Sequence, residues 1–597
     1  MANDPITISS PRQGIAQSSV VGFGDVRNLD IYSEPGVAKL NNKLSKASGS
    51  VVVDIPKWIV RNPLVSADFY SLGGSSSGSS GNFYYSSNSC SSWLLVGGNS
   101  TSSAHGNGLA VFKDWAAVAR DAVLDFYGPL SPAGSTAIYG AITVSTANPM
   151  VVACDNVHLL SVDDRVTLWT TGNITSSGAV QFANTGTAYY VSNANYNGDG
   201  KAFTLSGTSG GIELSTAGGS VVGTHYFRVW KTGFKTFGSN YQDNLFHPMI
   251  VSKLDGKLYG GEKNQVFTLA EVAGQTFNPF SSGTYTWTDL AMTTALPKGY
   301  RIKCLAELGN NLMMGTWQGE FATDFPIADI FTWDGSSTSY GQPIQLRDFG
   351  CHAMLNTGNA LVVLAGVKGT VYKCDGANIY PISKIPVTIT SSVFFEWYPG
   401  SICWYKDKVF FGSGGSSGAL APQGVWSLEQ TGKGNIIVLE HTNSQETDGT
   451  SVQVVTSALC PINDNQIAVG YLSDTTKAID ITNSTSYAYT TDYSGGFDTP
   501  LYQVGSPQGK RKFTQLGLLF SEKLSTGEGI KIWYRNNLTD SFVVLGTWTS
   551  DVAGTTKIGN VSSHFCQASV VGDMVQLRVR FLGTSTTTPN FKSAILT

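Results

Sequence analysis

The chain has 597 residues, too many for one compact core; 41% of them are apolar and only 13% are charged. Its 38 basic and 42 acidic residues leave a formal charge of −4 with no block of like charge, which excludes a basic grip on nucleic acid. The polar surface must come instead from Ser, Thr, Asn, Gln and the 67 glycines, a weakly charged skin suited to broad protein contacts.

Runs of good helix formers are scarce. Val, Ile, Thr, Tyr, Phe and Trp recur between Gly/Asn/Asp/Ser clusters, the chemistry of short strands and tight turns, so the fold class expected is all-β. Residues 1–50 are expected to form an N-terminal arm. They open on MANDPITISSPRQG, which has neither a basic nor an apolar targeting segment, and no apolar stretch reaches the roughly 20 residues of a spanning helix. Synthesis in a cytoplasm without standard export is the expectation.

Residues 51–130 are expected to begin a β-propeller. Ala67–Leu72 and Trp93–Gly97 read as strands of an early blade. Between them, Ser86-Ser-Asn-Ser-Cys-Ser-Ser-Trp93 is similar to a degenerate Asp-box, the turn that punctuates sialidase blades, with Cys90 where the central glycine stands. Lys113-Asp114 before Trp115–Arg120 has the spacing of a blade turn, although Trp115, Val118, Ala122, Val123 and Phe126 also fit a helical stripe.

Residues 131–226 read as an insertion that opens on Ser131-Pro132. Its strand signals are Ile142–Val144, Arg165–Trp169, Ala188–Val191, Phe203–Leu205 and Ile212–Leu214. The order His158–Val166, Thr170–Gly172, Gly186–Val191, Phe203–Ser206 resembles a small β-barrel module. That module recurs inside phage tail proteins and resembles the first catalytic-cysteine half-domain of ubiquitin-activating enzymes. The usual pattern has glycine after the His and before the Asp; this chain has Leu159 and Asp163 there. The resemblance implies a fold and no catalysis.

Residues 227–490 carry a repeat: an Asp, Asn or Gly turn, a short apolar strand, then a second strand. Anchored on Asp255, Asn310, Asn359, Asp407 and Asn465, the copies lie 55, 49, 48 and 58 residues apart, close to the length of a propeller blade. With the upstream units this predicts six or seven blades. Residues 491–597 read as a C-terminal β-sandwich. In Met574–Leu582, Val575, Leu577, Val579 and Phe581 alternate with Gln576, Arg578 and Arg580, the pattern of a half-buried strand.

Two further stretches resemble phage tail-associated propeller proteins: Gly14–Gly36 near the start and Arg578–Phe591 near the end. That resemblance implies a structural virion protein of a bacteriophage tail, of hub or nozzle type, present in the virion. Its implied partners are other tail proteins and copies of itself, as a homo-hexamer, with DNA leaving through a lumen during ejection. The alternative is a receptor-binding or glycan-cleaving propeller at the tail tip.

No pattern nominates a catalytic, cofactor-binding or metal-ligating residue, so the chain is expected to be non-enzymatic. Two GxSxG matches, around Ser76 and Ser416, lack the helix that a nucleophile elbow requires. Gly22-Phe-Gly24 lacks the third glycine of a dinucleotide fingerprint. Asn193–Gly200 has calcium-loop spacing but one carboxylate, Asp199, with Thr204 at the position of the bidentate Glu. Seven histidines (His105, His158, His225, His247, His352, His441, His564) and eight scattered cysteines show neither metal nor disulfide spacing.

Overall fold

The computed structural model describes residues 6–9, 25–31, 37–47, 55–74, 81–96, 107–178, 180–243, 246–317, 328–385, 395–415, 424–431, 434–443, 454–473, 476–483, 486–487, 495–504, 509–550, 556–557 and 563–597. The regular secondary structure is nearly all strand, with one eight-residue α-helix at Pro132–Tyr139 among the described residues. Seven four-stranded antiparallel units follow one another: the first, third, fourth and fifth are separate sheets, the second is part of a nine-stranded sheet, and the sixth and seventh lie in one sixteen-stranded sheet. The first is Ile55–Arg61, Phe69–Gly74, Phe83–Ser86 and Leu94–Leu95; the second is Gly108–Phe112, Trp115–Arg120, Val123–Gly128 and His225–Thr236. Blades three to six start at Met249, Arg301, Cys351 and Ile402. The seventh is Val454–Asn463, Gln466–Ser473 and Thr476–Thr482, completed by Leu44–Lys46 from near the start of the chain.

The turn signals of the sequence fall where the repeat requires them. Asp114, Asp255, Asn310, Asn359, Asp407 and Asn465 each lie between the first and second strands of a blade. Lys406 and Asp407 both have positive φ (49° and 57°), as a two-residue hairpin with right-handed strand twist demands. Trp115–Arg120 is strand and not helix, since both of its faces are buried between neighbouring blades.

Aromatic contacts fill the spaces between blades. Phe277 of the third blade meets Phe112 and Phe126 of the second at 5.0 and 5.3 Å, edge to face. Each such side chain, fully buried, contributes on the order of 2 kcal/mol. The first and seventh blades share a core of Ile59, Phe69, Tyr84, Trp93, Ala458, Ile462 and Ile479, and Ser457 Oγ donates to the Pro56 carbonyl at 2.8 Å.

Among the described residues, the strands of the first fifty positions are built into the C-terminal part of the fold and not into a separate arm. Ile6–Ser9 pairs with Phe591–Leu596, Asp25–Arg27 pairs with Gly495–Asp498, and Leu44–Lys46 closes the seventh blade. Their backbone groups find partners in the last third of the chain, which is why no local signal marks them as strands.

The C-terminal sandwich comprises Ile6–Ser9, Phe591–Leu596, Arg511–Phe520 and Ser563–Gly572 against a second sheet that runs on to the outer strand of the sixth blade. Its core joins Phe513, Leu518, Ile532, Leu577 and Phe581 to Phe411, Trp426 and Leu439 of that blade. Met574–Leu582 is not half-buried as its alternation suggests. The polar face is covered as well, because Gln576 Nε2 donates to the Thr499 carbonyl at 2.6 Å. Arg578 makes a two-point bond to Asp498 at 2.8 and 2.7 Å.

A candidate binding pocket where the insert meets the first blade

The insert leaves the second blade after its third strand and returns as its fourth. Ser131 caps the helix Pro132–Tyr139: its Oγ accepts from Gly134 N and donates to Asp114 Oδ2, both at 2.9 Å. Burial, opposed by the Ser131 bonds, raises the Asp114 carboxyl to about 6. The sheet then curls through Arg165–Thr170, Tyr189–Asn193, Ala202–Ser206, Val151–Cys154 and Ile142–Val144 around Phe203, Phe227, Val166 and Tyr139. Leu159 and Asp163, standing where the resembled module has glycines, both sit in the left-handed region at φ 58° and 69°. The expected strand at Ile212–Leu214 is reduced to a single bridge, Ser206 to Glu213, and Ile212 is 94% exposed.

Arg165–Thr170 pairs with His225–Thr236 so that Trp169 lies opposite Tyr226. This register carries both rings to the outer end of the first blade, where Trp169 meets Tyr85 edge to face at 4.9 Å. The facing turn, Ser86–Trp93, joins the third and fourth strands of that blade. Ser86 Oγ accepts from Cys90 N at 3.0 Å and Asn88 Oδ1 from Ser92 N at 2.9 Å. Ser89 and Cys90 take φ of 55° and 66°, so Cys90 adopts the backbone of the glycine it replaces in the Asp-box-like motif. Gly186 seals one side of the junction: a side chain there would lie 2.5 Å from the Leu95 carbonyl oxygen.

The result is a pocket of about 570 Å³. Tyr85, Trp93, Leu94, Trp169 and Tyr226 supply its apolar wall, and Ser87, Ser92, Thr170 and Asn184 its polar one. Behind the wall lies Arg228, 1% exposed, with its guanidinium 4.4 Å from the Trp169 ring, 4.6 Å from Tyr85 and 5.7 Å from Tyr226. One of its nitrogens donates to the Leu130 carbonyl at 2.8 Å and approaches Asp68 Oδ2 at 3.6 Å; Nε and Nη1 have no hydrogen-bond acceptor. The rings therefore take the place of acceptors. Burial raises the Asp68 carboxyl, against the lowering effect of Arg228, and burial also lifts the Tyr85 phenol far above its usual range. Trp169 is fixed further by donating to Thr167 Oγ1 at 2.9 Å.

This arrangement leaves room for a small ligand. None of the nine lining residues is charged, and Thr170 Oγ1 lies 2.9 Å from His225 Nδ1. No residue of the pocket was nominated by sequence. Its members come from positions 85 to 226, and only the Asp-box-like turn gave a local signal.

The other chemistry-bearing groups are accounted for elsewhere in the fold. Ser76 and Ser416 of the GxSxG matches, Gly22-Phe-Gly24 and His105 lie outside the described residues. In the loop Asn193–Gly200, Asn195 Oδ1 accepts from Gly200 N and Asp199 Oδ1 from Lys201 N, at 2.8 and 2.9 Å, so these oxygens serve the turn. Cys304 and Cys351, 47 residues apart in sequence, bring their thiols to 3.7 Å across the fourth and fifth blades. Beside them Lys303 Nζ meets His352 Nδ1 at 2.5 Å; burial, then Lys303, holds that imidazole well below its usual value and neutral. Burial, then the neighbouring Asp289 carboxylate, pushes Glu262 up to about 8, but Glu262 is fully buried and no substrate reaches it.

No family model matches the chain, and no curated protein matches its sequence. Solved structures with a similar arrangement of sheets include three that span most of it. The Dos1 propeller has TM-score 0.35 and 10% identity, over 74% of this chain and 95% of that one. The endosialidase of phage phi92 has TM-score 0.25 and 10% identity, over 90% and 69%. The Trypanosoma rangeli sialidase, solved with the inhibitor DANA, has TM-score 0.27 and 9% identity, over 96% and 95%. Likenesses at this level assign no activity to the chain.

Proposed function

We propose that this chain is a non-enzymatic structural component of a bacteriophage tail, of hub or nozzle type, that assembles with copies of itself and with neighbouring tail proteins. The observation that carries the reading is the outer strand of the C-terminal sandwich, Ser563–Gly572. It is ten residues long and contains no Lys, Arg, Asp, Glu or Pro, the residues with which soluble monomers blunt a sheet edge. Phe565 is 65% and Val571 42% exposed on its outward face, and among the described residues nothing pairs with its outer edge.

The opposite edge of the same sheet is Ile6–Ser9. Pairing one copy's Ser563–Gly572 edge with the next copy's Ile6–Ser9 edge is a head-to-tail contact, the kind that closes into a ring. Six copies around a lumen for DNA is the arrangement proposed, in keeping with the resemblance of Gly14–Gly36 and Arg578–Phe591 to tail-associated propeller proteins. Cryo-electron microscopy of intact particles tests it: density fitted by this chain as a ring supports the reading. A chain absent from particles and monomeric at high concentration overturns it.

A further inference from the structure

We infer that Cys304 and Cys351 are a redox pair that closes, on oxidation, into a disulfide stapling the fourth blade to the fifth. This goes beyond the assembly reading and does not depend on it. The two thiols lie on the first strands of neighbouring blades, Arg301–Leu308 and Cys351–Asn356, with their sulfurs 3.7 Å apart. A bond of about 2.05 Å asks them to approach by roughly 1.6 Å more. Among the described residues no other two thiols are in hydrogen-bonding contact.

The surroundings single the pair out. Gly315 stands opposite Cys304 in the ladder, and a side chain there would lie 2.5 Å from Cys304 Sγ and 2.6 Å from Cys351 Sγ. Both sulfurs therefore crowd over one point of bare backbone, which glycine leaves free for them. Each cysteine also borders a break in its strand's ladder, between Ile302 and Cys304 and between Cys351 and Ala353. The backbone can adjust at such irregularities without dismantling a regular run of pairs. The core shared by the two blades around the pair is otherwise apolar, with Ala306, Ile330, Leu361 and Val363 in it. A disulfide adds a covalent tie where noncovalent contacts alone now join the blades.

Burial, then the Cys304 thiol, pushes Cys351 well above its ordinary value, so thiolate is scarce and closure is slow. The pair is accordingly a lock set over time and not a quick sensor. A reducing cytoplasm keeps it open, and an oxidising environment outside the cell closes it. With a small peroxide as oxidant, one thiolate takes up an oxygen atom to give a sulfenic acid and releases hydroxide, which takes back the thiol's proton. The second thiol then attacks that sulfur and expels water. Two thiols and one peroxide thus become one disulfide and two waters.

The test uses the full chain, reduced, freed of reductant and then incubated with hydrogen peroxide in native buffer. Alkylation in denaturant afterwards should find at least two fewer free thiols than the eight of the reduced chain. A digest kept free of reductant should contain the Cys304 peptide joined to the Cys351 peptide, and dithiothreitol should separate them. Cys374→Ser, which removes a third thiol of the same core, should leave the link intact, whereas Cys304→Ala should abolish it. Eight free thiols after oxidation, sulfinic acid at this pair without a link, or links that leave the pair out would each overturn the inference. The wild-type peptide map stands whether or not the variants fold, and the oligomeric state of the same samples reports separately on the ring proposal.

Discussion

The junction of the insert with the first blade and the open edge of the C-terminal sandwich treat aromatic and apolar surface in opposite ways. At the junction the rings are clamped: Arg228 is sealed under Tyr85, Trp169 and Tyr226, and Trp169 donates to Thr167. At the edge, Phe565 and Val571 stand exposed on a strand that ends its sheet. The lesson is that a surface of low charge can serve recognition in two ways. A pre-ordered concavity suits a small ligand, and an unpaired backbone edge suits another strand.

The sharpest way to break the junction is Arg228→Met. It leaves Asp68 buried without its counter-charge and the rings without their clamp, and should cost about 3–5 kcal/mol in urea unfolding. Adding Asp68→Asn should restore part of that loss. Glu262 asks whether a buried charge without such a clamp is a burden. Its ordinary value is 4.5 and its folded value about 8, so between these pH values the folded state holds the extra proton and stability falls as pH rises. Glu262→Gln should therefore leave stability little changed at pH 4 and raise it by on the order of 3 kcal/mol at pH 9, read by chemical denaturation at both pH values.

Leu159→Gly should raise stability by about 0.5–1 kcal/mol, the left-handed strain relieved less the added backbone freedom, visible as a higher melting temperature. At the open edge, Phe565→Lys should change stability by less than about 0.5 kcal/mol. Its effect should appear instead in mass: light scattering of the purified chain should shift toward the monomer. A variant that unfolds, or that assembles unchanged, would erase the contrast between edge and junction.

Much of the propeller was legible because its signals are local. Asp255, Asn310, Asn359, Asp407 and Asn465 lie in the turns their spacing implied, whereas Trp115–Arg120 fitted both strand and helix in sequence and is strand in the structure. The module-like backbone was also legible through residues that break its rule, since Leu159 and Asp163 keep the glycine geometry. The strands near the start of the chain were not, because Leu44–Lys46 makes its ladder with Asp480–Thr482, beyond the reach of any window. The pocket was hidden for the same reason: Trp169 and Tyr226 become neighbours through cross-strand register, and Tyr85 joins them only when the insert leans on the first blade.

The strand Leu44–Lys46 sets a clock on biogenesis. It leaves the ribosome early, yet its partner Thr476–Thr482 is made some 430 residues later. At about 5–20 residues per second that is roughly 20–90 s during which the seventh blade has no material to close on. Asp25–Arg27 and Ile6–Ser9 wait longer still, for Gly495–Asp498 and Phe591–Leu596. A nascent or truncated chain thus lacks the completed sandwich sheet on which the proposed ring pairing depends. On the proposed pairing, an unfinished chain has no sheet edge ready to join a ring.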